Sequence, residues 1–314
     1  MREQGMPVSH ARSPVPGRSP AFGIRMRQSL YPAAAWYARR VKHRGLGGAL
    51  RMLHPTDEAA ARYGVVRTVP FERGLRLTVD TSNHVGRVIY FHGAYRPECL
   101  AAVRSHMPAG SVGVDVGTAV GDFTVVMAHA AGADGAVHAF EPWPPELERC
   151  RANLELNGLT NVVLNRMAVA DHDGEATFIG SNGDNQSGGF LRAAAGASEA
   201  ISCETVRLDS YLRDAPRLDF MKIDAQGADL LVLRGAEQCI ERWRPAILLT
   251  SCQEGVYARF GTSIAEVTEF LAARGYRVRW LSAPSRLPRI LRPRSFAAAL
   301  FLPDGASRPE EAAI

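Results

Sequence analysis

The chain has 314 residues, 46% hydrophobic and 22% charged, a composition that excludes a wholly disordered or fibrous protein. The formal charge is +5, yet Lys42 and Lys222 are the only lysines and no recognition motif accompanies the arginines, so nucleic acid is not an expected partner. Cys99, Cys150, Cys203, Cys239 and Cys252 form no C-x-x-C pair, so neither a disulfide framework nor a metal site is expected.

Residues 1–28 are rich in Pro, Ser, Gly and Arg without periodicity and read as a disordered tail. No apolar run follows their arginines, so no secretory leader is expected, and Met6 and Met26 offer alternative starts. No stretch approaches the roughly 18 apolar residues of a membrane span, so a soluble, cytoplasmic protein is expected. From Tyr31 to Leu53 the recurrence of Trp36, Tyr37, Val41, Leu46, Leu50 and Leu53 predicts a helix. Its arginines suit a membrane surface. Gly45, Gly47 and Gly48 favour packing on the protein's own body. The runs VVRTVPF, LRLTV and RVIYF within 65–91 predict strands, making 29–96 an N-terminal helix and small β element. A helix is expected from Pro97 to about His106.

Residues 97–304 form the expected main domain, with a short tail at 305–314. Apolar runs at 112–116, 136–140, 162–169, 218–224, 245–250, 276–281 and 296–302 alternate with helical patterns at 122–132, 145–157, 228–242 and 264–275. That alternation predicts an α/β fold, a mostly parallel sheet with helices on both faces. The last two runs lack a helix between them and predict an antiparallel pair at one edge.

The segment VGVDVGTAVGDFT (112–124) is the most informative. A strand tipped by Asp115 turns through Gly117 and Gly121 into a helix. Glycine lets the backbone approach a ligand resting on that helix terminus. The spacing is not the G-x-G-x-x-G of a dinucleotide site. A carboxylate at the strand tip suits a cationic ligand such as S-adenosylmethionine. Glu141 ends the next strand, 24 positions after Gly117, close to the interval at which an acid takes a cofactor's ribose hydroxyls. Thr118, Phe123 and Pro142 flank these positions and complete the expected contact set with Ala168 at the end of the third run. Asp171 either bonds an adenine amino group or caps a turn.

At these residues the chain resembles the FkbM family of methyltransferases. The pieces are DVGTAVGDFT (115–124), AFEPWPPELERCRANLELNGLTNV (139–162), AVADHDGEATF (168–178), LDFMKIDAQGADLLVLRGA (218–236) and RWRPAILL (242–249). The resemblance implies a Rossmann-like class I methyltransferase fold of seven strands. It also implies S-adenosyl-L-methionine as donor, and a hydroxyl of a sugar, glycolipid or secondary metabolite as acceptor. Two departures stand out. Gln226 and Asp229 replace glutamates of the family's K-x-D-x-E-G-x-E motif, and Thr250 stands where the fifth strand usually ends in Glu. They weaken the case for an acid-lined metal site or a glutamate base.

Methyl transfer needs alignment above all, and then a base. Asp224, at the tip of the fourth strand, is the expected base or acceptor orienter. Lys222 shares its face and is read as holding Asp224 or the acceptor, or as half of a structural ion pair. His92, with His84 and Tyr95 beside it, is a further candidate over the cofactor mouth. The polar loop SNGDNQSGG (181–189) is read as a lid or a plain connection. The rival functions are a nicotinamide-dependent oxidoreductase, a non-catalytic cofactor-binding or interaction protein, and a nucleic-acid methyltransferase.

Overall fold

The computed structural model describes residues 29–33, 35–36, 64–179, 190–191, 200–281 and 297–306. The tail at 1–28, all but the start of the 31–53 helix, the loop 181–189 and most of 305–314 lie outside them.

Strands β1 (Val66–Pro70) and β2 (Arg76–Asp80) form an antiparallel hairpin. The third expected strand, RVIYF, is instead part of helix α1 (His84–His92). Asn83 decides this locally: its side chain accepts the Gly86 N–H at 2.7 Å and caps the helix. Burial then follows helical spacing, with Val85 above Ile89 and Gly86 above Tyr90. A short apolar run carries both periods, and the cap breaks the tie.

Helix α2 (Pro97–His106) leads to β3 (Val112–Val116), α3 (Asp122–Ala131), β4 (Ala136–Phe140), α4 (Pro144–Leu156) and β5 (Val162–Asn165). The run at 162–169 divides here. The Asn165 side chain donates to the Ala139 carbonyl at 3.2 Å and closes β5. Strand β6 (Ala168–Val169) joins a separate four-stranded sheet with β7 (Gly174–Ile179), β8 (Phe190–Leu191) and β9 (Ala200–Val206), in the order β6-β9-β7-β8. Then come α5 (Leu208–Tyr211), β10 (Phe220–Ile223), α6 (Asp229–Gly235), α7 (Glu237–Trp243), β11 (Ala246–Cys252), α8 (Glu254–Tyr257), α9 (Ile264–Ala272), β12 (Tyr276–Leu281) and β13 (Ala297–Pro303). The single helix expected over 228–242 is two. Gly235 lies so close to β6 that a Cβ there would stand 1.9 Å from the Ala170 carbonyl oxygen, and the chain turns at Ala236 before restarting.

The main sheet has seven strands in the order β12-β13-β11-β10-β3-β4-β5. Only β13 runs antiparallel, inserted between β11 and β12. This is the Rossmann-like class I arrangement. Strand order runs outward from β3 both ways, so the topological switch point lies between β3 and β10, where such sheets open a crevice at their carboxyl ends.

Inward residues alternate along these strands. Phe220 and Leu248 face one apolar core, which also holds Leu77, Ile89, Leu100, Val125 and Met127. Met221, Ile223 and Leu249 face a second, with Leu208, Leu233, Ile240 and Leu271. The hairpin is tied to the body by Asn153 on α4, which accepts the Thr78 N–H at 2.7 Å and donates to the Thr78 and Val120 carbonyls.

Candidate functional site

The crevice is built around one lysine. Lys222 pairs in register with Asp115 across β10 and β3. Its ammonium lies 2.9 Å from Asp115 Oδ1 and donates to the Gly117 carbonyl at 2.6 Å. Asp115 Oδ2 accepts the Thr124 hydroxyl at 2.6 Å, and the Phe123 ring flanks the ammonium at 5.2 Å. Burial alone would push the Lys222 pKa down. The Asp115 and Asp224 carboxylates outweigh it and hold the group above its ordinary value. The structure therefore puts Lys222 on Asp115, whose carboxylate is fully buried.

The turn after β3 folds over the end of β4. Gly117 N–H and Thr118 N–H both donate to the Phe140 carbonyl, at 3.0 and 3.3 Å. Gly117 sits at φ 77°, and a Cβ there would stand 2.3 Å from the Asp224 carbonyl oxygen, so glycine lets the two loops touch. Ala119 also takes a left-handed conformation, φ 45°. Its N–H donates to Glu141 Oε2 at 3.0 Å, while the Trp143 N–H donates to Oε1 at 3.0 Å. Each oxygen of Glu141 keeps further lone pairs. Burial pushes Glu141 up to about 7, against the pull of these two amides.

Asp224 stands half-buried at the tip of β10, its N–H on the Val116 carbonyl at 3.0 Å. Its Oδ1 accepts the Gln226 side-chain amide at 3.0 Å. Thr250, in the fifth-strand position, donates to the Ile223 carbonyl at 3.4 Å.

Three neighbours of Asp224 were not among the sequence candidates or stood at their margin. Arg96 is buried, and its charge acts on Asp224 and on Tyr95. Tyr95 is pushed up by burial, with Arg96 opposing and Asp224 reinforcing the shift. Asp122, the first residue of α3, is pushed up to about 6 by burial, with Lys222 opposing. The adjacency of Asp122 to Gly121 was a usable signal; that of Arg96 to Asp224, 128 positions apart, was not.

Asp115, Gly117, Thr118, Gly121, Phe123, Glu141, Lys222 and Asp224 thus gather at the carboxyl ends of β3, β4 and β10. Pro142 is buried next to Glu141, and Ala168 packs in a small cluster with Phe178, Cys203 and Trp143. Asp171 lies past β6, 3.0 Å from the exposed His172 ring. His92 is exposed at the end of α1, whereas His84 stacks edge-on with Tyr95 at 5.8 Å. Among the described residues, no group of three or more His, Cys, Asp or Glu is placed to hold a metal ion, and no helix is long and apolar enough to cross a membrane.

The Methyltransferase FkbM domain matches residues 115–278, from the strand-tip acid to the sixth strand of the sheet. The chain belongs to the FkbM methyltransferase family. The donor of this family is S-adenosylmethionine. Among curated proteins, the FkbM chain is 31% identical over 121 residues to the 2-O-methyltransferase NoeI of Sinorhizobium fredii, covering 33% of this chain and 49% of the relative. It is 24% identical over 156 residues to Methyltransferase 1 of Beauveria bassiana, covering 43% and 61%. The match thus spans about half to three-fifths of these relatives. Among solved structures, methyltransferase FkbM of Methylobacillus flagellatus is 15% identical with a TM-score of 0.41, covering 81% of this chain and 60% of that one. The O-methyltransferase TomG of Streptomyces achromogenes is 13% identical with a TM-score of 0.42, covering 66% and 78%.

The FkbM site fits its donor. Asp115, Asp122, Asp224 and Glu141 face Lys222 and Arg96, an excess of acid that suits a sulfonium and an ammonium and opposes a pyrophosphate. Once ionised, Glu141 accepts only, as ribose hydroxyls require.

Proposed function

We propose that this chain transfers a methyl group from S-adenosylmethionine to a hydroxyl oxygen of a small molecule or glycan: a sugar, glycolipid or secondary metabolite. The observation that carries the reading is the pair of carboxylates, Glu141 and Asp224, on either side of the switch point. Similarity to the 2-O-methyltransferase NoeI supports oxygen as the acceptor atom.

When bound, the donor supplies an electrophilic methyl on a sulfonium. The chain's own residues do the rest. Glu141 takes the two ribose hydroxyls, with Pro142, Ala168 and Asp171 toward the adenine. Gly117, Thr118, Gly121 and Phe123 shape the turn against the methionine end. Asp115 acts through Lys222, fixing the charge behind that turn. Asp224 orients the acceptor hydroxyl and takes its proton as the new C–O bond forms, a role worth about 10²–10⁴ in rate. His92 lies too far toward solvent on α1 to be preferred over Asp224 as that base.

Isothermal titration of the full chain with S-adenosylmethionine and with NADH tests the donor. Binding of the first alone is expected, weakened about tenfold or more in Glu141→Ala by the loss of charge-assisted bonds. Equal affinity in wild type and variant would remove the ribose assignment. NADH binding would remove the methyltransferase reading.

A further inference from the structure

We infer that Gln226 is a positioning residue: its amide holds the Asp224 carboxylate in one orientation and keeps a competing acid away from it. The inference rests on the methyltransferase reading above, in which Asp224 is the base.

The contact is the 3.0 Å bond from Gln226 Nε2 to Asp224 Oδ1. Its setting is unusual. Gln226 adopts φ 52°, a left-handed conformation that is strained for a residue other than Gly, Asn or Asp. The turn holds it there from both ends. Gly227 follows at φ 102°, where a Cβ would stand 2.5 Å from the Val256 carbonyl oxygen, and its N–H donates to Asp229 Oδ2 at 3.0 Å. A Gly at 226 would avoid the strain. The glutamine accepts it and reaches back two residues to the carboxylate.

Charge explains the choice of an amide. Asp224 already shares its surroundings with the acids Asp122 on α3 and Asp229 on α6, against Lys222 on β10 and Arg96 before α2. Tyr95, Cys99, Cys252 and Tyr257 also feel its charge, but burial pushes all four up and keeps them neutral at pH 7. A glutamate at 226 would set a third acid about 3 Å from Asp224. Two carboxylates that close repel when both are ionised, so the pair holds a proton to higher pH than either would alone. The amide donates instead of competing, so Asp224 remains free to accept the hydroxyl proton. The replacement of Glu by Gln is therefore an alteration of the base's partner, compatible with an active site.

The test needs no acceptor. The full chain, labelled with ¹³C at aspartate side-chain carboxyls and saturated with S-adenosylhomocysteine, is titrated by NMR. Asp224→Asn identifies the Asp224 signal. Wild type is compared with Gln226→Glu, a near-isostere, and with Gln226→Gly, which relieves the backbone and removes the donor. We expect the Asp224 midpoint to rise by about one pH unit or more in the first variant and by less in the second. Ligand affinity is expected to stay within about threefold, because neither variant touches the ribose side. One midpoint shared by all three proteins would overturn the inference. A wild type that does not bind S-adenosylhomocysteine would overturn the donor reading itself, and it shows before any titration begins.

Discussion

The two sides of the crevice are built by different means. On the β3–β4 side, Glu141 is held by backbone N–H groups of Ala119 and Trp143, both within 22 positions of it. On the β10 side, the Asp224 carboxylate takes a side-chain amide, that of Gln226, and feels the charge of Arg96 from a distant loop. Backbone amides carry no residue identity, so the first side needs only a turn, an acid and the right spacing. The second side depends on which residues stand there, Gln226 foremost. Side-chain support is the part that can be retuned without disturbing the fold, and in the proposed reading it lies on the acceptor side.

Substitutions that treat the two sides separately sharpen this contrast. The largest effect is expected at Asp224. In Asp224→Asn, release of S-adenosylhomocysteine with any acceptor that turns over should fall by about 10²–10⁴. Donor affinity by titration should stay within a few-fold. A parallel loss of donor binding would show that the two sides are not separable. Next is Lys222, which belongs to both. Lys222→Ala leaves buried Asp115 uncompensated, and urea denaturation should show a loss of about 3–5 kcal/mol. A smaller loss would mean that water reaches the pair. Smallest is a pH effect confined to the donor side. Burial raises Glu141 from 4.5 to about 7, so between those values the folded chain keeps a proton that the unfolded chain has released. Stability of the ligand-free chain must therefore fall as pH rises through that window. Glu141→Gln removes this contribution, and its Tm should exceed that of wild type at pH 8 by a few degrees, on the order expected for a change of about 1 kcal/mol. The two should converge near pH 4.5. The slope will be reduced and not abolished, because burial also raises Asp122 and Asp229, to about 6 and about 7.

Much of this was legible in the chain itself, and the exceptions are physical. Each of the seven apolar runs supplied a strand of the main sheet, most plainly at its centre, where β3, β10 and β11 are buried and must be apolar on both faces. The turn at 112–124 and the acid at 141 were readable because neighbours in the fold were close in sequence. The strand expected at 87–91 failed because a capping asparagine outweighed a run that fits either period. The small sheet of β6 to β9 was invisible because β6 and β8 have two residues each and β7 and β9 are partly exposed. Arg96 beside Asp224 could not be found from spacing at all, since the approach of their loops is a property of the folded sheet. Lys222 was placed on the correct strand, but its partner, Asp115, emerged only from the register of β10 against β3.

The cysteines have a practical consequence. All five are buried, and burial raises every one, Cys150, Cys239 and Cys252 to about 12. Only thiolates attack alkylating reagents readily, so the natural buried thiols should be nearly inert at pH 7. One cysteine introduced on an exposed helical position, as in Glu148→Cys, would then be a unique attachment point for a fluorophore or spin label. Movements around the crevice mouth could be followed by spectroscopy without first stripping sulfur from the core.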